Sequence, residues 1–202
     1  MRQLLCTTLL IASGALAAPD EGAHLLAGAR FFKDGRFPQA LVEFRVAQRL
    51  GSSDAAGYAG AALQKLGRPE EAIEAFAAGD SANSDALLDY YRALACYDAR
   101  LYLCADRLLA SVGDRSGERI AALVRETRAK IAQTLRGGPS TVAIDWYHQR
   151  AAEAVAGDRK ALGAAYLDEA RALAGLRADR YRAAEAEAGL SRLRPKAAEP
   201  AK

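Results

Sequence analysis

The segment Gly35-Arg36-Phe37-Pro38-Gln39-Ala40-Leu41-Val42-Glu43-Phe44 recurs in altered form as Gly67-Arg68-Pro69-Glu70-Glu71-Ala72-Ile73-Glu74-Ala75-Phe76. The offset is 32 residues at Gly35 and Gly67, at Ala40 and Ala72, and at Phe44 and Phe76. A fixed period of this length marks helical hairpins that bury their apolar faces on one another, so no single closed core is needed. Stacks of this kind mostly bind other proteins, and the expectation is therefore an activity of binding without chemistry.

Helical signals extend the pattern in both directions. Proline and acids at Pro19-Asp20-Glu21 suit a first turn, and a helix is predicted from there to about Lys33. After the turn at Asp34-Gly35 a second helix is predicted from Pro38 to Leu50, with Ala40, Leu41, Phe44 and Ala47 on one face. The next hairpin repeats this plan over Asp54 to Leu66 and from Pro69 onward. A third, more divergent one covers about Asp85 to Asp98 and Leu101 to Ser111, keyed by Ala93, Tyr102 and Ala105. Ser116 can cap a helix from Gly117 to Leu135 that would cover the open end of the stack. The break at Gly137-Gly138-Pro139-Ser140 separates a second helical section, read as two helices over about Val142 to Ala156 and Lys160 to Arg192.

Taken together, residues 21 to 112 resemble the tetratricopeptide repeat, a helix-turn-helix unit of about 34 residues. The resemblance implies small residues where the two helices of a hairpin cross, Gly28, Gly60 and Ala93 facing Ala40, Ala72 and Ala105. It also implies that Phe31, Leu63, Phe44, Phe76 and Leu109 fill the space between hairpins. The family's tryptophan near each repeat start is replaced by His24, Ala56 and Asp89, and its closing proline is missing. The expected fold is all-α: a short solenoid of stacked antiparallel hairpins with a helical extension at its carboxy end. Residues 18–136 would hold three hairpins and the capping helix, 137–194 the extension with a degenerate repeat at Tyr166-Leu167-Asp168-Glu169-Ala170, and 195–202 a loose tail.

Arg2, the apolar run Leu4 to Leu16 and the small-residue site Ala15-Leu16-Ala17 have the form of a secretory signal, cut before Ala18. Thirteen apolar residues span only about 20 Å of helix, too short for stable membrane insertion. The expected location is therefore the periplasm, or outside a cell with one membrane. Loss of Arg2 would leave 27 basic and 25 acidic residues, a balance that argues against nucleic acid as a partner. Residues 18–114 carry 10 basic and 14 acidic groups and residues 115–202 carry 17 and 11, read as solvated helix surfaces.

No phosphate loop, nucleophile elbow or metalloprotease motif is present, so no enzymatic activity, cofactor or metal is expected. His24 and His148 are read as packing residues, and the acid pairs Glu70-Glu71 and Asp168-Glu169 as helix-surface charges. Cys96 and Cys104 lie on either side of the third hairpin's turn, in a compartment where disulfides persist. A bridge between them and two separately packed thiols are both open readings.

The resemblance further implies a concave groove lined by outward residues of the first helices. These map to Leu25, Ala29, Phe32 and Lys33, then Gln64 and Lys65, then Tyr90, Leu94 and Tyr97. Either the tyrosines face a partner or the helix after Gly117 buries them. The functional expectation is an adaptor of the bacterial envelope that holds a protein or peptide, with a self-associating homo-oligomeric scaffold as the alternative.

Overall fold

The structure is a computed structural model that describes residues 20–79, 85–113 and 115–194. The expected signal segment, 1–17, and the tail, 195–202, lie outside the described residues. Among the described residues ten helices occur in the order α1 Glu21–Lys33, α2 Phe37–Arg49, α3 Ala55–Lys65, α4 Pro69–Ala78, α5 Ala86–Asp98, α6 Tyr102–Gly113, α7 Glu118–Leu135, α8 Thr141–Ala156, α9 Lys160–Leu176 and α10 Arg180–Leu193. Consecutive helices pack as antiparallel neighbours from α1 to α7 and again from α8 to α10, an all-α repeat solenoid with a helical extension.

Local chemistry sets the helix ends. Asp20 and Asp85 accept hydrogen bonds from the N–H of Gly22 and Leu87, both at 2.9 Å, and so cap α1 and α5. Pro38 and Pro69 sit in the opening turns of α2 and α4, where a missing N–H costs nothing. One turn geometry closes five hairpins. Gly35, Gly67, Arg100, Asp158 and Ala178 all have φ between 55° and 75°. Just after each, the next residue's N–H reaches back to the carbonyl of Phe31, Leu63, Cys96, Ala154 or Ala174 at 2.8 to 3.0 Å. This satisfies a carbonyl that the helix end would leave open. Glycine adopts that conformation without strain, which makes the first two turns visible in the sequence; the last three use residues that carry a Cβ.

Packing inside the stack is tight and apolar. A Cβ on Gly28 would lie 2.6 Å from the Phe44 ring, and one on Gly60 would lie 2.9 Å from that of Phe76. Each phenylalanine thus rests on the glycine sixteen residues earlier in its own hairpin, and Leu109 and Ala93, both fully buried, keep the same spacing in the third. Phe44 also stacks on Tyr58 of the next hairpin, with ring centroids 5.4 Å apart. Burying one such ring contributes about 2 to 3 kcal/mol before entropy is counted.

The end of the chain departs from the expectation. The helix anticipated from Lys160 to Arg192 is two helices, broken at Arg177-Ala178-Asp179, where Ala178 turns left-handed and the Asp179 carboxylate caps α10 through the Arg182 N–H at 3.1 Å. Unbroken periodicity of alanine and leucine through this region hides the break, because the turn residue is not glycine. The helix α7 packs on α5 and α6 at the open end of the stack, whereas α9 lies against both α4 and α6, the second helices of hairpins two and three. The extension therefore docks on the side of the stack opposite the row formed by α1, α3 and α5.

Candidate functional site

The first helices α1, α3 and α5 pack side by side, and their outer surface carries most of the residues assigned to the groove. Phe32 meets Phe37 edge-on at 5.3 Å and reaches Tyr91 of α5 at 5.6 Å, also edge-on. The Lys65 ammonium of α3 lies 5.2 Å from the centre of that same Tyr91 ring. Three helices thus converge on one aromatic and cationic patch. Beside it, Gln64 donates from Nε2 to Asp98 Oδ2 at 3.1 Å, tying α3 to the end of α5. Leu25, Phe32 and Leu94 are half-buried against the core, Lys33 is exposed, and Tyr97 stands edge-on to Tyr102 at 5.7 Å.

Of the two tyrosines assigned to the groove, Tyr90 is only 9% exposed and faces α7, where burial, aided by Glu126 and opposed by the hydrogen bond with Thr127, raises its phenol above the ordinary value. It is a core residue. Tyr91, one position on, takes its place at the patch and was missed because helical spacing from Leu94 and Tyr97 selects Tyr90. His24 pairs through Nδ1 with Glu43 Oε2 at 2.7 Å, linking α1 to α2, and His148 faces the packing of α8 against α9 and α10.

Both cysteines come together. Their Sγ atoms lie 3.2 Å apart as free thiols, Cys96 buried on α5 and Cys104 half-buried on α6. They line a cleft of 540 Å³ between α4, α5, α6 and α9, with Arg92 and Arg107 on its walls.

The acid pairs need the largest correction. Glu169 is 1% exposed, and its two carboxylate oxygens accept from the backbone N–H of Leu103 at 2.8 Å and Cys104 at 3.0 Å, in the first turn of α6. Glu74 of α4 returns the arrangement by accepting from the Leu162 N–H at 2.7 Å, in the first turn of α9. Neither Leu101 before α6 nor Arg159 before α9 offers a capping oxygen, so each unit supplies the cap that the other's helix lacks. Around them, Glu70 binds Arg150, the Arg159 Nη1 at 2.6 Å and the Tyr166 hydroxyl at 3.0 Å. Tyr147 donates to the Arg100 carbonyl at 2.6 Å. Asp168 borders the cleft that the cysteines line and pairs with Arg171, and Glu71 pairs with Arg68 at the surface. A signal for Glu169 existed: it falls on the stripe Tyr166, Ala170, Leu173, where an acid at a core position calls for donors.

Among the described residues no helix is long and apolar enough to cross a membrane. No family model matches the chain, and neither a curated protein nor a solved structure matches it.

Proposed function

We propose that the chain is an exported tetratricopeptide-type adaptor that works in the bacterial envelope and performs no chemistry. It holds a protein or peptide segment on the row of first helices. The observation that carries this reading is the patch of Phe32, Lys65 and Tyr91, where two of three successive first helices present aromatic rings and the middle one the exposed Lys65, with the exposed Lys33 beside them. Half-buried aromatic rings give large contact area at small entropic cost, and two exposed lysines favour a segment that pairs apolar with acidic side chains. Docking of α8–α10 on the second helices leaves that row uncovered.

The test is crosslinking of the purified mature chain into envelope extract, compared with a Lys33→Glu, Lys65→Glu variant whose exposed substitutions spare the core. The reading expects specific crosslinked proteins to be lost from the variant while thermal unfolding is unchanged. Recovery of the same proteins with both chains would refute it.

Self-association is supported by a separate observation. Val142, Leu176 and Tyr181 are 75%, 65% and 77% exposed at the same end of the α8–α10 unit, where the start of α8, the end of α9 and the start of α10 meet. Light scattering over a concentration series decides between the two: a constant monomer favours the adaptor, and a dimer abolished by Tyr181→Ser favours the scaffold.

A further inference from the structure

We propose that Cys96 and Cys104 form a reversible dithiol–disulfide couple that exchanges with small anionic disulfides entering the cleft between α4, α5, α6 and α9. Cys104 is the thiol that attacks and Cys96 the thiol that resolves. The inference is independent of peptide binding on the opposite side of the stack.

Position assigns the roles. Cys96 is 4% exposed and packed within the core, whereas Cys104 is half-buried and borders the cleft, so an incoming disulfide meets Cys104. Proton placement agrees with this order. The hydrogen bond from Cys96 holds the Cys104 thiol below its ordinary value, against burial and Glu169, with help from Arg107 and Arg92. The same bond and burial push the Cys96 thiol well up. The thiolate fraction thus sits on the accessible sulfur, as a nucleophile requires. Arg92 precedes Cys96 by one helical turn and Arg107 follows Cys104 by three residues, so both guanidinium groups flank the entry. The other wall charge, Asp168, is held by Arg171 at 2.8 Å. A carboxylate-bearing disulfide such as glutathione disulfide matches this lining.

The exchange balances in two steps. The Cys104 thiolate attacks one sulfur of the small disulfide, forming a mixed disulfide and releasing one small thiolate, which takes a proton from water. Cys96 then loses its proton to solvent and attacks Cys104 Sγ, forming the Cys96–Cys104 bond and releasing the second small thiol. Two electrons pass from the protein dithiol to the small disulfide. A disulfide needs the sulfurs at about 2.05 Å, so they must close by roughly an ångström, a movement within reach of side-chain rotation.

For the test, the mature chain starting at Ala18, which lacks Cys6, is equilibrated with glutathione and its disulfide, then quenched with an alkylating reagent and weighed. The wild type is expected to lose the mass of two hydrogens and to regain it with reductant. The Cys96→Ser variant should accumulate one glutathione, and the Cys104→Ser variant should react at least about tenfold more slowly. Cys96→Ala repeats the trapping with an apolar replacement if serine disturbs the core. Oxidation by glutathione disulfide should outpace oxidation by the cationic disulfide cystamine, and an Arg92→Gln, Arg107→Gln variant should lose that preference. The proposal is overturned if both thiols stay free in excess glutathione disulfide. Intermolecular dimers in place of the internal bond, equal reactivity of the two single-cysteine variants, or a cystamine preference would also overturn it.

Discussion

Within the hairpin stack, the two helices of a hairpin meet through glycine and aromatic rings, Gly28 beneath Phe44 and Gly60 beneath Phe76. Across the junction with α8–α10 the same chain uses carboxylates: Glu169 and Glu74 cap helices of the opposite unit, and Glu70 gathers Arg150, Arg159 and Tyr166. The difference lies in how geometry is specified. Apolar packing contributes affinity with little directional demand, whereas a buried carboxylate tolerates only the arrangement that supplies its donors. Hairpins stacked by period alone could slide or continue, while a unit held by reciprocal caps has one seat.

The largest effect should come from the apolar side of that contrast. Phe44→Ala removes a fully buried ring shared by two hairpins, and chemical denaturation should show a loss of about 3 to 5 kcal/mol. Glu169→Ala comes next. It leaves the N–H groups of Leu103 and Cys104 without an acceptor and should cost about 1 to 3 kcal/mol, less than Phe44→Ala because the cost of burying a charge is removed too. If Glu169→Ala were neutral, the junction would be as apolar in its energetics as the stack.

Acid titration separates two carboxylates of the junction. Burial raises the Glu70 carboxyl, but the bonds from Arg159, Tyr166 and Arg150 more than offset it, leaving it below the ordinary glutamate value. Its contribution is therefore present above that ordinary value and lost as pH falls through the lowered one. For Glu169 burial prevails over the N–H groups of Leu103 and Cys104 and the carboxyl is raised. That contribution has the opposite sign: it is present in acid and lost as pH rises from the ordinary value through the raised one. Urea midpoints measured against pH should show Glu70→Gln flattening the acid loss and Glu169→Gln flattening the decline just above the ordinary value. Identical profiles for both variants would contradict the assignment.

The smallest effect belongs to a turn. Ala178→Gly should stabilise by about 0.5 to 1 kcal/mol because it relieves a left-handed alanine, a gain that thermal unfolding can read. Destabilisation there would mean that the turn is not held as described.

The same contrast explains what could be read in advance. Helices α1 to α3 and α5 to α8 start and stop within about two residues of their expected limits, and α4 starts at the expected Pro69, since capping residues, prolines and glycines mark them locally. The break after Leu176 was hidden because Ala178 takes the role that glycine has at Gly35 and Gly67. Phe32, Gln64 and Lys65 were legible as face residues from helical register, and Tyr90 was misplaced because register on one helix does not reveal that α7 covers it. The proximity of Cys96 to Cys104 followed from the short turn between their helices. Glu70, Glu74 and Glu169 were not legible as a junction: their partners lie 65 to 96 residues away, and no period connects those positions.

The central claim is that α8–α10 dock on the second helices through reciprocal caps, leaving the first-helix row free. Hydrogen exchange resolved to single amides tests it most directly, because Leu103, Cys104 and Leu162 lie in first turns whose N–H groups have no partner within their own helices. Docking predicts that these three amides exchange far more slowly than the exposed first-turn amide of Arg119. It also predicts that Glu169→Ala frees Leu103 and Cys104, and that Glu74→Ala frees Leu162. Exchange of all three at the rate of Arg119 in the unaltered chain would contradict the account.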